Sequence, residues 1–335
     1  MKNISHSNSD RADGSPHKLD PKKGLSPLKL FVVGNGFDLR FGLPTRLTDF
    51  GKYLRSNEQD IFSTLSGLHG LAAENGDESD LMQWNHLETR MASFDEDFII
   101  DEATYSFDRQ DNYPPPSDDF WAYAADHFED MVNPIIHELP WLVRQWALSI
   151  DISDTSDESI EAYEKFGQRH QAAAFITFNY TRVLEDTCQL QHVHHVHGEA
   201  EAGDVVLGHS TEFIRRVVAP GDIDEVSDLY PGFETYNHHF RKRQDELFKG
   251  ICDFSFRLEL DRRVDEVIVC GHSIGEADRK YFLMISNLIP GATWTFTPHG
   301  GSGGQDHQNI AGLISDPSFH SGGYRLSRLA DIIGE

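Results

Sequence analysis

Short, β-rich apolar runs in this chain end, one after another, at clusters of small polar residues. Leu28 to Val33 runs into Gly34-Asn35-Gly36, and Ala173 to Phe178 into Asn179-Tyr180-Thr181. Val193 to His197 runs into Gly198, and Val267 to Cys270 into Gly271-His272-Ser273. Apolar runs of this length suit strands buried on both faces. Helical stretches lie between them. The pattern therefore predicts an α/β fold: a Rossmann-like, mostly parallel sheet with helices on both faces. Ligands of such sheets bind outside the carboxyl ends of the strands, where all these polar clusters fall. Glycine and asparagine also end strands for structural reasons alone. The recurrence at several strand ends is what points to a shared crevice.

The rest of the pattern fills in the architecture. Residues 1 to 27 are almost free of apolar side chains, which predicts a disordered tail before a domain spanning 28 to 335. Thr45 to Leu54 and Asp80 to Met91 read as amphipathic helices. After Pro114-Pro115-Pro116, Asp118 and Asp119 can cap a long helix reaching Trp146, which Pro134 and Pro140 are expected to kink or divide. Residues 55 to 170 thus read as a largely helical insertion and 211 to 263 as a second insertion. Asp204 to Leu207 and Ala292 to Thr297 read as further strands. Gly275 to Leu288 reads as a helix and Tyr324 to Ile333 as a closing helix.

With 335 residues the chain can bury a sizeable core. Its 29 Lys and Arg face 55 Asp and Glu, a formal net charge of −26. That balance disfavours nucleic acid as a partner, because phosphate binding needs clustered cations, and equally an anionic membrane surface. No apolar run is long enough to span a bilayer, and the N-terminus lacks the apolar middle of a signal peptide. Cys188, Cys252 and Cys270 form neither a disulfide framework nor a paired zinc spacing. Reduced thiols in a cytoplasmic protein are the expectation.

Each polar cluster has a chemical reading and a structural one. The glycines of Gly34-Asn35-Gly36-Phe37-Asp38 would let the backbone approach a phosphate or ribose. The full G-x-G-x-x-G fingerprint is not met, since Leu39 stands in place of the third glycine. Asp38 is a candidate catalytic acid, or the cap of the next helix. The Asn179 amide can orient a water or a ribose hydroxyl, or serve its own turn. His195 and His197 alternate along a strand and would share a face. As a metal pair they lack the third ligand that zinc needs, and no metal is expected. His197 can instead be a general base near neutral pH. Gly271-His272-Ser273-Ile274-Gly275 matches the G-x-S-x-G nucleophile elbow, which makes Ser273 of a serine hydrolase a competing reading. Against it, an acid and a histidine should follow Ser273 in order, and only Asp306 with His307 or His320 qualify. In the non-hydrolase reading Gly271 and Ser273 contact a ribose or phosphate, and Asp278 caps or orients their loop. Glu88, on the Trp84-to-Glu88 segment, could reach the same place.

The stretches LFVVGNGFDLRFGLPT (Leu30 to Thr45), WNHLE (Trp84 to Glu88), ITFNYTRVLE (Ile176 to Glu185), HHVHGE (His194 to Glu199) and IVCGHSIGEADRKYF (Ile268 to Phe282) resemble the bacteriophage abortive infection AbiH family. The resemblance implies antiphage defence, in which an infected cell stops growing or dies before the phage matures. The order of a Gly-x-Gly loop, T-x-N-Y, H-x-H-G and G-x-S is also similar to the sirtuin-like NAD-binding fold, whose members in defence hydrolyse NAD. That similarity implies that Gly34 and Gly36 hold the phosphates and that Asn179 sits beside the nicotinamide ribose. It makes His197 the catalytic histidine and puts Gly271 and Ser273 on the adenosine side. No zinc-binding cysteine module accompanies it, which speaks against protein deacylation.

The sequence thus leads to a cytoplasmic antiphage protein with a nucleotide pocket, and to NAD as its substrate. Asn179, His197 and Asp38 are the candidate catalytic residues. Gly34, Asn35, Gly36, Phe37, Tyr180, His195, Gly198, Gly271, His272, Ser273 and Asp278 are the candidate binding residues. A non-catalytic nucleotide sensor is the alternative class; a nuclease is disfavoured by the charge. An anionic dinucleotide must also find positive potential on an acidic chain. No Lys or Arg lies within Gly34 to Asp38 or beside Ser273, so backbone amides and helix N-termini would supply it, helped by Arg40 or Arg182. The sequence leaves the phage trigger and a homo-oligomeric state open.

Overall fold

A computed structural model describes residues 27–71, 80–111, 118–211, 226–300 and 303–334. The expected N-terminal tail and the Pro114-Pro115-Pro116 break lie outside these residues. Six strands form one sheet: β1 (Leu28–Val33), β2 (Ala174–Thr177), β3 (Val193–His195), β4 (Val264–Cys270), β5 (Thr293–Phe296) and β6 (Gly323–Leu326). Every pairing is parallel, and the order β3-β2-β1-β4-β5-β6 is that of a doubly wound Rossmann sheet.

The alternation of side chains along the strands explains the two-sided burial. Leu28, Leu30 and Val32 of β1 join one core, and Phe31 and Val33 join the core on the opposite face. β2 divides likewise, Ala174 and Ile176 against Phe175. Such strands must be covered on both sides. One cover comprises α9 (Gln244–Leu258), α11 (Arg279–Leu288) and α12 (Gln305–Ile314), through Ile251, Phe254, Tyr281, Phe282, Ile285 and Leu313. On the other face lie α1 (Asn35–Arg40), α7 (Asp157–His170) and α13 (Leu329–Ile333), through Phe37, Tyr163, Phe166 and Ile333.

A third core belongs to a helical layer beyond the strand ends. It is built from α2 (Leu47–Asn57), α3 (Gln59–Leu68), a 3-10 turn at Asp80–His86, α4 (Leu87–Arg90), α5 (Glu96–Asp111), α6 (Asp118–Leu148) and α8 (Tyr230–Phe240). The short α10 (Leu260–Arg263) leads into β4.

Four features depart from the sequence pattern. Asp204 to Leu207 is not a strand; only His209 makes an isolated bridge, with Arg241. The closing segment is a strand and then a helix, because β6 adds to the edge of the sheet before α13 begins. Pro134 and Pro140 lie inside α6 without dividing it. Each removes one helical hydrogen bond, but an apolar face running from Phe120 through Phe128, Ile135 and Leu142 to Trp146 is buried in the helical core and holds the helix together. α11 begins at Arg279 rather than near Gly275, since Gly275 to Asp278 forms a turn closed by Asp278 N–H to the Gly275 carbonyl.

Candidate functional site

The sheet reverses its winding between β1 and β4, and their two loops are clasped together there. Gly36 N–H donates to the Gly271 carbonyl at 2.7 Å, and Gly34 N–H to the Cys270 carbonyl at 2.9 Å. Gly271 has φ +62, and a Cβ there would overlap the backbone of Gly36 and Phe37. Phe37 N–H turns back to the Gly34 carbonyl at 3.0 Å. The amides expected to cradle a phosphate are therefore already bonded within the clasp. Asn35 is similarly engaged, donating to the Thr45 carbonyl and accepting from the Thr45 hydroxyl.

Above this clasp lies a crevice of about 910 Å³, between the carboxyl ends of the strands and the helical layer. It is lined by Asn35, Gly36 and Asp38 after β1, by Asn179, Tyr180 and Thr181 after β2, and by His197 after β3. Gly271, His272, Ser273 and Asp278 line it from the loop after β4, while Glu88 and Trp146 close it from the helical layer. The strand-end clusters thus do converge. Gly34, Phe37, His195 and Gly198 are not among the lining residues. Phe37 packs against Phe41, Tyr163 and Phe166 in the core. Gly34 lets His272 approach, and Gly198, at φ +80, lets the chain pass the Asp204 carbonyl.

Asp38 is a perturbed acid on the crevice wall. It is 1% exposed. Burial pushes its carboxyl up to about 7, moderated by hydrogen bonds from Thr181 and Asn179 and by the nearby His195. The Thr181 hydroxyl donates to Oδ2 at 2.6 Å. A carboxyl that takes up and releases a proton near neutrality inside a cleft is suited to acid–base work.

A second cluster forms the back wall around Lys242, whose side chain is fully buried. Its ammonium meets one acceptor for each N–H: Glu88 Oε1 at 3.0 Å, Asp278 Oδ1 at 3.3 Å and His197 Nε2 at 3.3 Å. Burial opposes the charge on Lys242, but Asp278 and Glu88 outweigh it and hold the ammonium protonated. Of the two carboxylates competing for this cation, Asp278 is held ionised and Glu88 is pushed up by burial. His197 is held down to about 3 by burial and by Lys242, so it is a neutral acceptor. As a general base it would have to give up this contact, because its Nε2 already faces the ammonium. His272 is likewise held neutral by burial; its Nδ1 accepts from Ile274 N–H at 2.9 Å.

The shared face expected for His195 and His197 is also absent, because β3 ends at His195 and the chain turns before His197. His195 instead meets the Asn179 carbonyl through Nδ1 and Glu185 Oε1 through Nε2, both at 2.9 Å. The ligand atoms of Glu185, His195 and Glu199 lie within 4.8 Å of one another. Glu185 is taken by His195 and Glu199 by Arg182, so the group reads as an ion-pair network. Ser273 is exposed, and its hydroxyl has no hydrogen-bond partner among the described residues. The left-handed residue of its loop is Ile274, at φ +54.

Charge in the crevice is mixed. Arg40, Arg46 and Arg328 line it together with Asp38, Glu88, Asp278 and Asp306. Arg182 is drawn away by Asp186 and Glu199 and is not on this wall. Sequence reasoning missed Lys242, Arg46 and Arg328, which sit in no motif, and it passed over Thr181 although it belongs to the Asn179-Tyr180-Thr181 cluster.

The bacteriophage abortive infection AbiH family model matches residues 30–297, from β1 past the end of β5. The chain belongs to the AbiH family. The role of that family is abortive infection, a defence against bacteriophage. The match takes in every loop of the crevice up to Thr297 and the helical layer with it. No curated protein and no solved structure matches the chain. Among the described residues no helix is long and apolar enough to cross a membrane.

Proposed function

We propose that this protein serves abortive infection in the cytoplasm by hydrolysing the nicotinamide–ribose bond of NAD in the crevice, with Asp38 as the general base. The buried Asp38 carboxyl, raised to about 7 beside Asn179 and Thr181, carries this reading. The ribose lies against Asn179, whose amide orients it. As the C1′–N bond breaks, its electron pair passes to the pyridinium nitrogen and neutral nicotinamide leaves. Water forms the new C1′–O bond, and its proton goes to the Asp38 carboxylate. That carboxylate also faces the oxocarbenium charge developing at C1′. Since the Gly36 and Phe37 amides are already bonded, the phosphates are met by Arg46 on the crevice wall, while Arg328, also on that wall, is held by Asp331. The crevice volume of about 910 Å³ is within the range of ligand sites.

The test is nicotinamide release from NAD by purified protein, with and without phage lysate. Wild type is expected to release nicotinamide, and Asp38→Asn to lose about 100- to 10,000-fold of the rate. Ser273→Ala is expected to retain it. No release under either condition, with defence intact in Asn179→Ala, overturns the proposal. Binding of NAD without release would make the crevice a sensor instead.

A further inference from the structure

His195 lies behind the crevice wall, and its two hydrogen bonds define its state. Nδ1 faces the Asn179 backbone carbonyl and Nε2 faces the Glu185 carboxylate, each at 2.9 Å. A carbonyl and a carboxylate can only accept, so both ring nitrogens must donate. Only the imidazolium does that. The side chain is 7% exposed, and Glu185 is 19% exposed. The cation is thus sheltered from water with its counter-ion beside it. Asn179 and Thr181, which flank Tyr180 on the same loop, are the residues that hydrogen-bond Asp38.

We propose that His195 is a positioning residue, a fixed imidazolium paired with Glu185 that anchors the Asn179-to-Thr181 loop against Asp38 and supplies positive charge behind it. This rests on Asp38 being the base of the proposed cleavage. Several charged groups face this imidazolium. Glu185 comes from the turn after β2, Glu199 from the loop after β3 with Arg182 bonded to it, and Asp38 from α1. The neighbouring His194 is held neutral by burial. Burial works against the charge on His195, but Glu185, the Asn179 carbonyl and Glu199 together outweigh it. At Asp38 the two members of the pair act in opposite senses, His195 lowering its proton affinity and Glu185 raising it. The imidazolium thus adds to the larger effect of the Thr181 and Asn179 hydrogen bonds, which moderate the burial of Asp38.

Nuclear magnetic resonance of the full chain, with nitrogen-labelled histidine, reads the ring directly. Wild-type His195 is expected to be protonated on both nitrogens at about pH 7.5. In Glu185→Gln its midpoint is expected to fall by about one pH unit, a tenfold change in proton affinity. His195→Gln keeps donor groups but removes the charge. It is expected to move the acid limb of nicotinamide release to higher pH while leaving KM for NAD unchanged. A neutral His195 ring in the wild type at that pH overturns the proposal, and so does an unmoved limb in a folded His195→Gln protein. If wild type releases no nicotinamide, the cleavage reading has failed, and the ring titrations of wild type and Glu185→Gln still decide the imidazolium. They also decide it if His195→Gln does not fold.

Discussion

Asp38 shows how a single residue sets stability against chemistry. In the unfolded chain its carboxyl ionises near the ordinary value of 3.8, whereas in the folded protein burial holds it protonated up to about 7. The folded state therefore binds the proton more tightly. Stability from this group is full below the unfolded value, falls by roughly 1.4 kcal/mol per pH unit as pH rises between the two, and levels off above 7. An uncharged isostere escapes that loss. Asp38→Asn is expected to unfold at a higher temperature than wild type at pH 8, with the gap closing towards pH 4, as followed by thermal melts across that range. A gap independent of pH would mean that the carboxyl is not held protonated by its surroundings. The position of Asp38 after a Gly-x-Gly turn was legible in the sequence, because a charged residue there must either cap a helix or face the strand ends. Its perturbation was not legible. It depends on burial by segments distant in sequence and on Thr181 and Asn179 from the loop after β2.

At the scale of elements, β1 and β4 are joined beyond their ladder by the clasp of Gly34 and Gly36 on Cys270 and Gly271. A side chain at Gly271 would need left-handed backbone and would overlap Gly36 and Phe37. Gly271→Ala is expected to cost about 1–3 kcal/mol for the backbone conformation alone, measured as a lower urea midpoint. It should also weaken ligand binding, because Asn35, Gly36 and Asp38 share the displaced loop. An unchanged midpoint would show that the loops part freely. The clasp was hidden in the sequence: glycines that admit a phosphate and glycines that admit another backbone look the same. Strands β1, β2 and β4 were legible because burial on both faces demands unbroken apolar runs. β6 was not, since Tyr324, Arg325 and Leu326 are all exposed at the sheet edge and carry no burial pattern. Asp204 to Leu207 misled in the opposite way. Val205 and Leu207 are buried, but in the core of the helical layer, with no ladder beside them.

Across the whole molecule, the net charge of −26 does not make the crevice uniformly acidic, because Arg40, Arg46 and Arg328 are among the residues of its wall. The larger consequence of the architecture is that the helical layer owns a core separate from the two faces of the sheet. The crevice lies where those bodies meet, and a polar group spans its back. Glu88 belongs to the helical layer, Lys242 to the segment between α8 and α9, and Asp278 and His197 to loops of the sheet. Lys242 is thus the cation that three separate parts of the chain share. Replacing it leaves two half-buried carboxylates facing each other without a counter-charge, so the cost is expected to stay below the roughly 3–5 kcal/mol of breaking a fully buried pair. Because the missing contacts lie between the bodies rather than within either core, the loss should fall on their junction. Lys242→Met is expected to speed hydrogen exchange in α4, in α8 and at the strand-end loops before it affects β1 and β4. Adding Glu88→Gln and Asp278→Asn to it should recover much of the loss by removing the unpaired charges. Equal loss of protection in the sheet and the helical layer would instead make Lys242 a general contributor to stability and leave the junction of the crevice to apolar packing.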